Sequence, residues 1–293
     1  MMKHYFYLLV LILSLTACGS NDDNAPHRKP AGPNANANDT SLKKEYGRLE
    51  FPKLRGGAGN RVVIHSTNDD SVNYSVEWND AKKSQRWSCY QMYKSNLVQK
   101  VSRYKSKTNQ YPKDPQIPAE YAFDADPYWS SGYDHGHICP SEDRRSSFDA
   151  NYQTFYMSNM QPQLNGFNAG VWLHMENAVR EWAKKNNYKF CDTLYVCKGG
   201  TIDHPTNYTK TGKGLLVPKY FFMAVLRVKN GQYNAIGFWV EHNANNDSHL
   251  AKYAVSIKEL EEKTGIDFFC NLPDAREKVI ESTPVNYTLW DLK

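Results

Sequence analysis

The chain has 293 residues, with 36 Lys and Arg against 31 Asp and Glu and a formal charge of +5. That mild basicity is compatible with a polyanionic partner but matches many proteins that have none, so charge alone selects no function. The cysteines form no C-x-x-C pair and no His-rich zinc pattern accompanies them, which argues against a structural zinc site.

The N-terminus sets the compartment. Lys3 and His4 precede an apolar run over 5–15, too short to span a bilayer and suited to the core of a signal peptide over 1–17. Leu15-Thr16-Ala17-Cys18 resembles a bacterial lipobox, with small residues that admit the peptidase and Cys18 as the thiol that takes the lipid. Gly19 at the next position gives no inner-membrane retention signal, and Asp22-Asp23 resembles the surface-export signal of some lipoproteins. The expectation is an exported chain anchored to the cell envelope at the outer membrane, its face left open. Removing 1–17, which carries Lys3, lowers the charge by one to +4. Residues 18–44 are rich in Asn, Pro, Gly and Asp without apolar period and read as a disordered tether. One domain follows over 45–293. Export permits disulfides, but Cys89, Cys139, Cys191, Cys197 and Cys270 are odd in number and spacing does not fix their pairing.

Strand signals come first. Residues 61–66 are β-branched, 72–78 alternate, and 86–93 follow a polar turn, as in a hairpin. Residues 102–135 read as loop, with Pro112, Pro115, Pro118 and Pro127. Val171, Trp172, Met175, Val179 and Trp182 make one apolar stripe of a helix over 168–185. Strands over 215–229 and 232–242 flank Asn230-Gly231, a type I′ turn pair. A last helix is expected from about Asp247-Ser248 to Gly265. The class is α+β with a mainly antiparallel sheet flanked by helices.

The chemistry concentrates in 131–182. Asp134-His135-Gly136-His137 places two imidazoles and a carboxylate about a glycine, and histidine serves as a base near neutral pH or binds metal. A polar surface loop would carry the same tetrapeptide. On the helix, Asn168 precedes Glu176 by two turns, and Arg180 lies one turn further, at the spacing of an ion pair with Glu176. A helix cap and a routine surface pair explain those residues taken singly. His174 reads as a surface or packing residue rather than a ligand, and Asp203-His204-Pro205 as a turn.

Together the order and spacing resemble the DNA/RNA non-specific endonuclease family, the ββα-metal or His-Me finger nucleases of endonuclease G type. The family's Asp-Arg-Gly-His, Ser-Asn-x-x-Pro-Gln and helical Asn with a downstream Glu correspond to Asp134-His135-Gly136-His137, Ser158-Asn159-Met160-Gln161-Pro162-Gln163 and Asn168 with Glu176. The likeness covers most of 60–275, including 217–222 and 264–269. It implies an Mg²⁺-dependent endonuclease acting on DNA and RNA and leaving 5′-phosphate ends. In that scheme His137 is the general base, Asn168 the sole direct protein ligand of a hydrated Mg²⁺ (Mn²⁺ a substitute), and Glu176 orients metal-bound water. Arg180 meets the phosphate bidentately, Asp134 positions the loop and metal waters, and Asn159 braces the site. One position departs from the family: His135 stands where the family has arginine, so an always-charged phosphate contact becomes one largely neutral at pH 7. A further family arginine has only Arg103, Lys105 and Lys107 as candidates. An exported metallophosphoesterase would need more metal-binding carboxylates and histidines than this chain offers, and a catalytically dead nucleic-acid-binding lipoprotein would not need His137, Asn168 and Glu176 intact. Protein partners are left open, a homodimer among them.

Overall fold

The computed structural model describes residues 34–67 and 71–292; residues 1–17, read above as a signal peptide, and Cys18 lie outside them. Its framework is a seven-stranded sheet. In spatial order it runs β1 (Asn60–Ser66), β2 (Val72–Asn79), β3 (Ser84–Met92), β6 (Thr193–Gly200), β9 (Tyr220–Lys229), β10 (Gln232–Glu241) and β11 (Ala254–Val255). Every neighbouring pair is antiparallel. Of the four skipped strands, β4 (Asp134–His137) and β5 (Met160–Gln163) make a separate two-stranded ribbon, and β7 (Tyr208–Lys210) pairs with β8 (Leu216–Pro218).

Both faces of the sheet are covered, which explains the unbroken apolar run in β9. Phe221, Met223 and Val225 point into one core with the stripe Met175, Val179 and Trp182 of α3 (Leu173–Tyr188). Phe222, Ala224 and Leu226 point into the other, beneath Ile257 and Leu260 of α4 (Ile257–Thr264). The β9–β10 turn falls on Asn230 and Gly231, both with positive φ (49° and 73°), as the I′ pair requires. The shorter helices are α1 (Phe148–Gln153), α2 (Asn165–Phe167) and α5 (Asp274–Ser282).

Three expectations change. The last-but-one helix starts at Ile257, not near Asp247: Ser256 is its cap, accepting from the Glu259 amide at 3.1 Å, while 250–255 form a short 3₁₀ turn and the edge strand β11. The central strand β6 and helix α5 have no counterpart in the sequence reading. Part of the segment read as a tether is also docked on the domain. Asn38 is buried, donates to the Pro52 carbonyl at 3.0 Å and accepts from the Leu54 amide at 2.9 Å, and the Ala35 amide meets Asp274 at 2.9 Å. Deleting the chain through residue 44 should therefore lower the urea midpoint relative to deletion through 33, since each lost hydrogen bond contributes about 0.5–1.5 kcal/mol; equal midpoints would show that the docked segment adds nothing.

Candidate active site

The β4–β5 ribbon is held in register by small-residue contact. Gly136 lies opposite Gln161, and a Cβ there would fall 2.3 Å from the Gln163 side chain, so only glycine lets the ribbon close. Behind it, Asn159 is fully buried and satisfied on both sides. Its Oδ1 accepts from the Cys139 amide at 2.8 Å, and its Nδ2 donates to the carbonyls of Cys139 and Thr154, both at 2.8 Å. That amide fixes the backbone two residues past His137.

After β5 the chain turns through α2 into a single π-type turn, Asn168–Trp172, and then α3. The irregularity has a cause: Gly170 leaves helical geometry (φ −103°, ψ −120°), and the Asn245 carbonyl enters there to accept from the Val171 amide at 2.7 Å. A Cβ on Gly170 would stand 2.1 Å from that oxygen. This insertion orients the first turn and, with it, Asn168.

Asp134, His135, His137, Asn168, Glu176 and Arg180 line one cleft of about 780 Å³. Asp134 accepts from the side chains of Asn165 and Asn168, both at 3.0 Å. Because Asn168 donates through Nδ2, its amide oxygen is the atom left for a cation, and one neutral oxygen suits a hydrated divalent ion that keeps most of its waters. Burial, with Arg103 and His135 nearby, lowers the His137 pKa to about 3, and its Nε2 is shielded and has no hydrogen-bond partner. The imidazole is therefore neutral at pH 7 with an accepting nitrogen available. Glu176 meets the fully buried Lys198 ammonium at 2.6 Å; burial pushes its carboxyl up and Lys198 opposes that shift.

The expected Glu176–Arg180 pair does not form. Arg180 instead pairs through Nε with Asp143, in the 141–144 turn, at 2.6 Å and donates to Asn177 at 2.6 Å. Asp143 thus occupies the Nε edge, and a bidentate phosphate contact would use the Nη1–Nη2 edge. His135 is also more tightly held than expected. It is sandwiched between Tyr111 (centroids 3.6 Å, 5° apart in plane) and Tyr128 (4.2 Å), with Nε2 2.9 Å from Asp126. Burial lowers its pKa. Its ring is a wall of the cleft rather than a free phosphate ligand.

Of the three candidates for a further cation, Arg103 lines the cleft and Lys105 and Lys107 do not. Arg103 bonds Ser141 and lies 4.8 Å over Phe155. Lys198 and Asp143 carried no sequence signal. His174 is half-buried and bonds Asn246 at 2.9 Å, and His204 caps a 3₁₀ turn, in line with its reading as a turn residue. The acidic trio Glu261, Asp267 and Glu281, with oxygens within 4.8 Å of one another, lines no part of this cleft.

Two strands and a helix that bring a neutral histidine, an asparagine and a glutamate to one cleft define the ββα class of site. The DNA/RNA non-specific endonuclease family matches over residues 56–275, and the chain belongs to that family. Among similar proteins, a mitochondrial nuclease EXOG of Xenopus laevis is 29% identical over 69% of this chain and 58% of its own length. Nuclease C1 of Cunninghamella echinulata var. echinulata is 28% identical over 68% of this chain and 81% of its own. The crystal structure of an EndoG/EndoGI complex shares the fold, with a TM-score of 0.61 at 20% identity, over 75% of this chain and 90% of that one. The chain spans well under two thirds of the Xenopus protein.

Removing one partner of a buried ion pair strands the other charge, which costs about 3–5 kcal/mol. Lys198→Met should lower stability on that scale, and adding Glu176→Gln should recover part of the loss. Additive losses in a denaturant double-mutant cycle would show that the pair is uncoupled.

Proposed function

We propose that this protein is a divalent-metal-dependent endonuclease that hydrolyses DNA and RNA with little sequence preference. The observation that carries the reading is the neutral His137, its Nε2 buried and without a hydrogen-bond partner, in one cleft with Asn168, Glu176 and Arg180. In this reading His137 Nε2 takes the proton of the attacking water. Arg180, held by Asp143 and Asn177, offers its outer edge to the phosphate. Asn168 would hold one Mg²⁺, with Mn²⁺ as a substitute, and the bound cation would stabilise charge on the phosphate and the departing 3′ oxygen. Departure of the 3′ oxygen leaves a 5′-phosphate. Asp134, tied to Asn165 and Asn168, keeps the ligand amide in place, and Asn159 keeps the β4 exit in place. A metallophosphoesterase with several carboxylate ligands is disfavoured, because the three carboxylates that line the cleft are already engaged, Asp134 by two amides, Glu142 by Gln99 and Arg145, and Glu176 by Lys198.

The N-terminal reading extends the proposal: residues 1–17 as signal, Cys18 lipidated, and the enzyme held on the cell envelope at the outer membrane. Mass spectrometry of the mature N-terminus should find a lipid-modified Cys18, and an unmodified N-terminus at another residue would refute the anchor.

Incubated with plasmid and with RNA, the native protein should cut both with Mg²⁺ and neither with chelator. His137→Ala should lose about 10²–10⁴-fold in turnover while still binding nucleic acid through its phosphate contacts. Near-native cleavage by that variant would move the base to another residue. The acid limb of the native profile should also lie well below the ordinary histidine range, because burial holds His137 unprotonated down to about pH 3; a limb near 6.5 that vanishes in no other variant would contradict that shift.

A further inference from the structure

Seven tryptophans occur in the chain, and six are buried or half-buried. The exception is Trp129, 78% exposed, on the loop between residues 126 and 133 that leads into β4. An indole left in water on a loose loop would be unremarkable. This loop is not loose. The Ser131 amide bonds the Tyr128 carbonyl at 2.9 Å, Ser130 takes a left-handed φ of 53°, and Asp126 accepts from the Tyr128 amide at 2.9 Å. The same Asp126 carboxylate holds His135 Nε2 at 2.9 Å, and the Tyr128 ring packs on Met160 and Leu215 while stacking on His135. On the outer side, the exposed Lys213 of the β7–β8 hairpin donates to the Trp129 carbonyl. The turn is therefore fastened both to the cleft wall and to a hairpin that also carries the exposed Lys210.

We propose that Trp129 is a stacking residue for an unpaired nucleobase of the substrate strand, with Lys213 and Lys210 beside it facing the phosphates. The assignment rests on the nuclease reading and adds to it a preference for single-stranded regions. Three physical points support it. A π-face accepts every base, so stacking is compatible with cleavage without sequence preference. A base inside a duplex has no free face, so the contact discriminates against paired substrate. A pre-ordered loop loses little conformational freedom on binding, so more of the stacking energy is retained.

The test measures binding separately from cleavage. Affinities for oligothymidylate and for a blunt duplex of equal length are measured by fluorescence anisotropy in chelator at fixed salt, for native, Trp129→Ala, Trp129→Tyr and Lys213→Ala protein. Trp129→Ala should bind oligothymidylate roughly 5- to 150-fold more weakly, change duplex affinity by less than about twofold, and keep its melting temperature. Trp129→Tyr should restore most of the binding, because a smaller ring still stacks. With Mg²⁺, Trp129→Ala should raise KM on single strands and leave kcat unchanged. Unchanged oligothymidylate affinity would overturn the proposal, as would equal losses for single strand and duplex. So would weaker binding to phosphatidylglycerol vesicles with oligothymidylate binding intact, which would make Trp129 a membrane contact. A native protein that binds oligothymidylate but cuts nothing with Mg²⁺ would refute the nuclease reading and leave the stacking assignment to the binding data.

Discussion

Glu176 and Lys198 meet at 2.6 Å between α3 and β6, with the ammonium wholly out of solvent. The site is built around this contact. β6 is the centre of the sheet, paired on one side with β3 and on the other with β9, so Lys198 is fixed by the most constrained strand of the molecule. A buried charge needs a partner and good geometry. Lys198 has Glu176 on one side and the Trp172 ring, 4.7 Å away, on the other. Meeting that need ties both the first turn and the second turn of the site helix to the sheet. Arg180 extends the same logic one turn further, tied to the buried Asp143.

Charge pairs hold the helix, whereas uncharged amides hold the ribbon. Asn159 satisfies a backbone amide and two carbonyls at the β4 exit without bringing a charge near His137. That matters electrostatically. A carboxylate in its place would favour the imidazolium and work against the depression of the His137 pKa that Arg103 and burial produce. Neutral bracing around the histidine and charged bracing around the helix are thus two ways of keeping an imidazole unprotonated within reach of several ions, as the proposed base role requires.

What could be read from sequence follows the range of the interactions. The three chemical segments, 134–137, 158–163 and 168–180, are each short and ordered along the chain, so their spacing carried the pattern before any fold was known. The β9–β10 hairpin was legible because Asn230-Gly231 encodes its turn locally. Strand β6 was not: its run of Cys197, Lys198, Gly199 and Gly200 lacks alternation, and Lys198 is buried only because Glu176 comes to it from another element. The Glu176–Arg180 pair failed for the same reason. Helical spacing permits a contact, but a buried Asp143 from a distant turn offered Arg180 a drier and closer partner. Asn38 shows the limit from the other side, since a composition poor in apolar residues still docks when each amide finds a backbone partner.

His135 shows how one substitution within a shared motif is absorbed. An arginine at this position would bring a permanent charge and a long flexible stem. The imidazole is instead flat enough to fit between Tyr111 and Tyr128 and short enough to end on Asp126. Burial lowers its pKa and Asp126 only partly opposes that, so near neutral pH the ring is an uncharged donor to a carboxylate. A permanent cation at this position would depress His137 further, whereas the imidazole, its own pKa lowered by burial, adds only in part to the depression that burial and Arg103 cause. The cation at this end of the cleft then comes from Arg103, which reaches in from the loop before β4 and is anchored on Ser141 and Phe155. Arg103, a candidate for a separate family arginine, is thus the guanidinium on this side of the cleft, while β4 itself carries one carboxylate, Asp134, and two imidazoles.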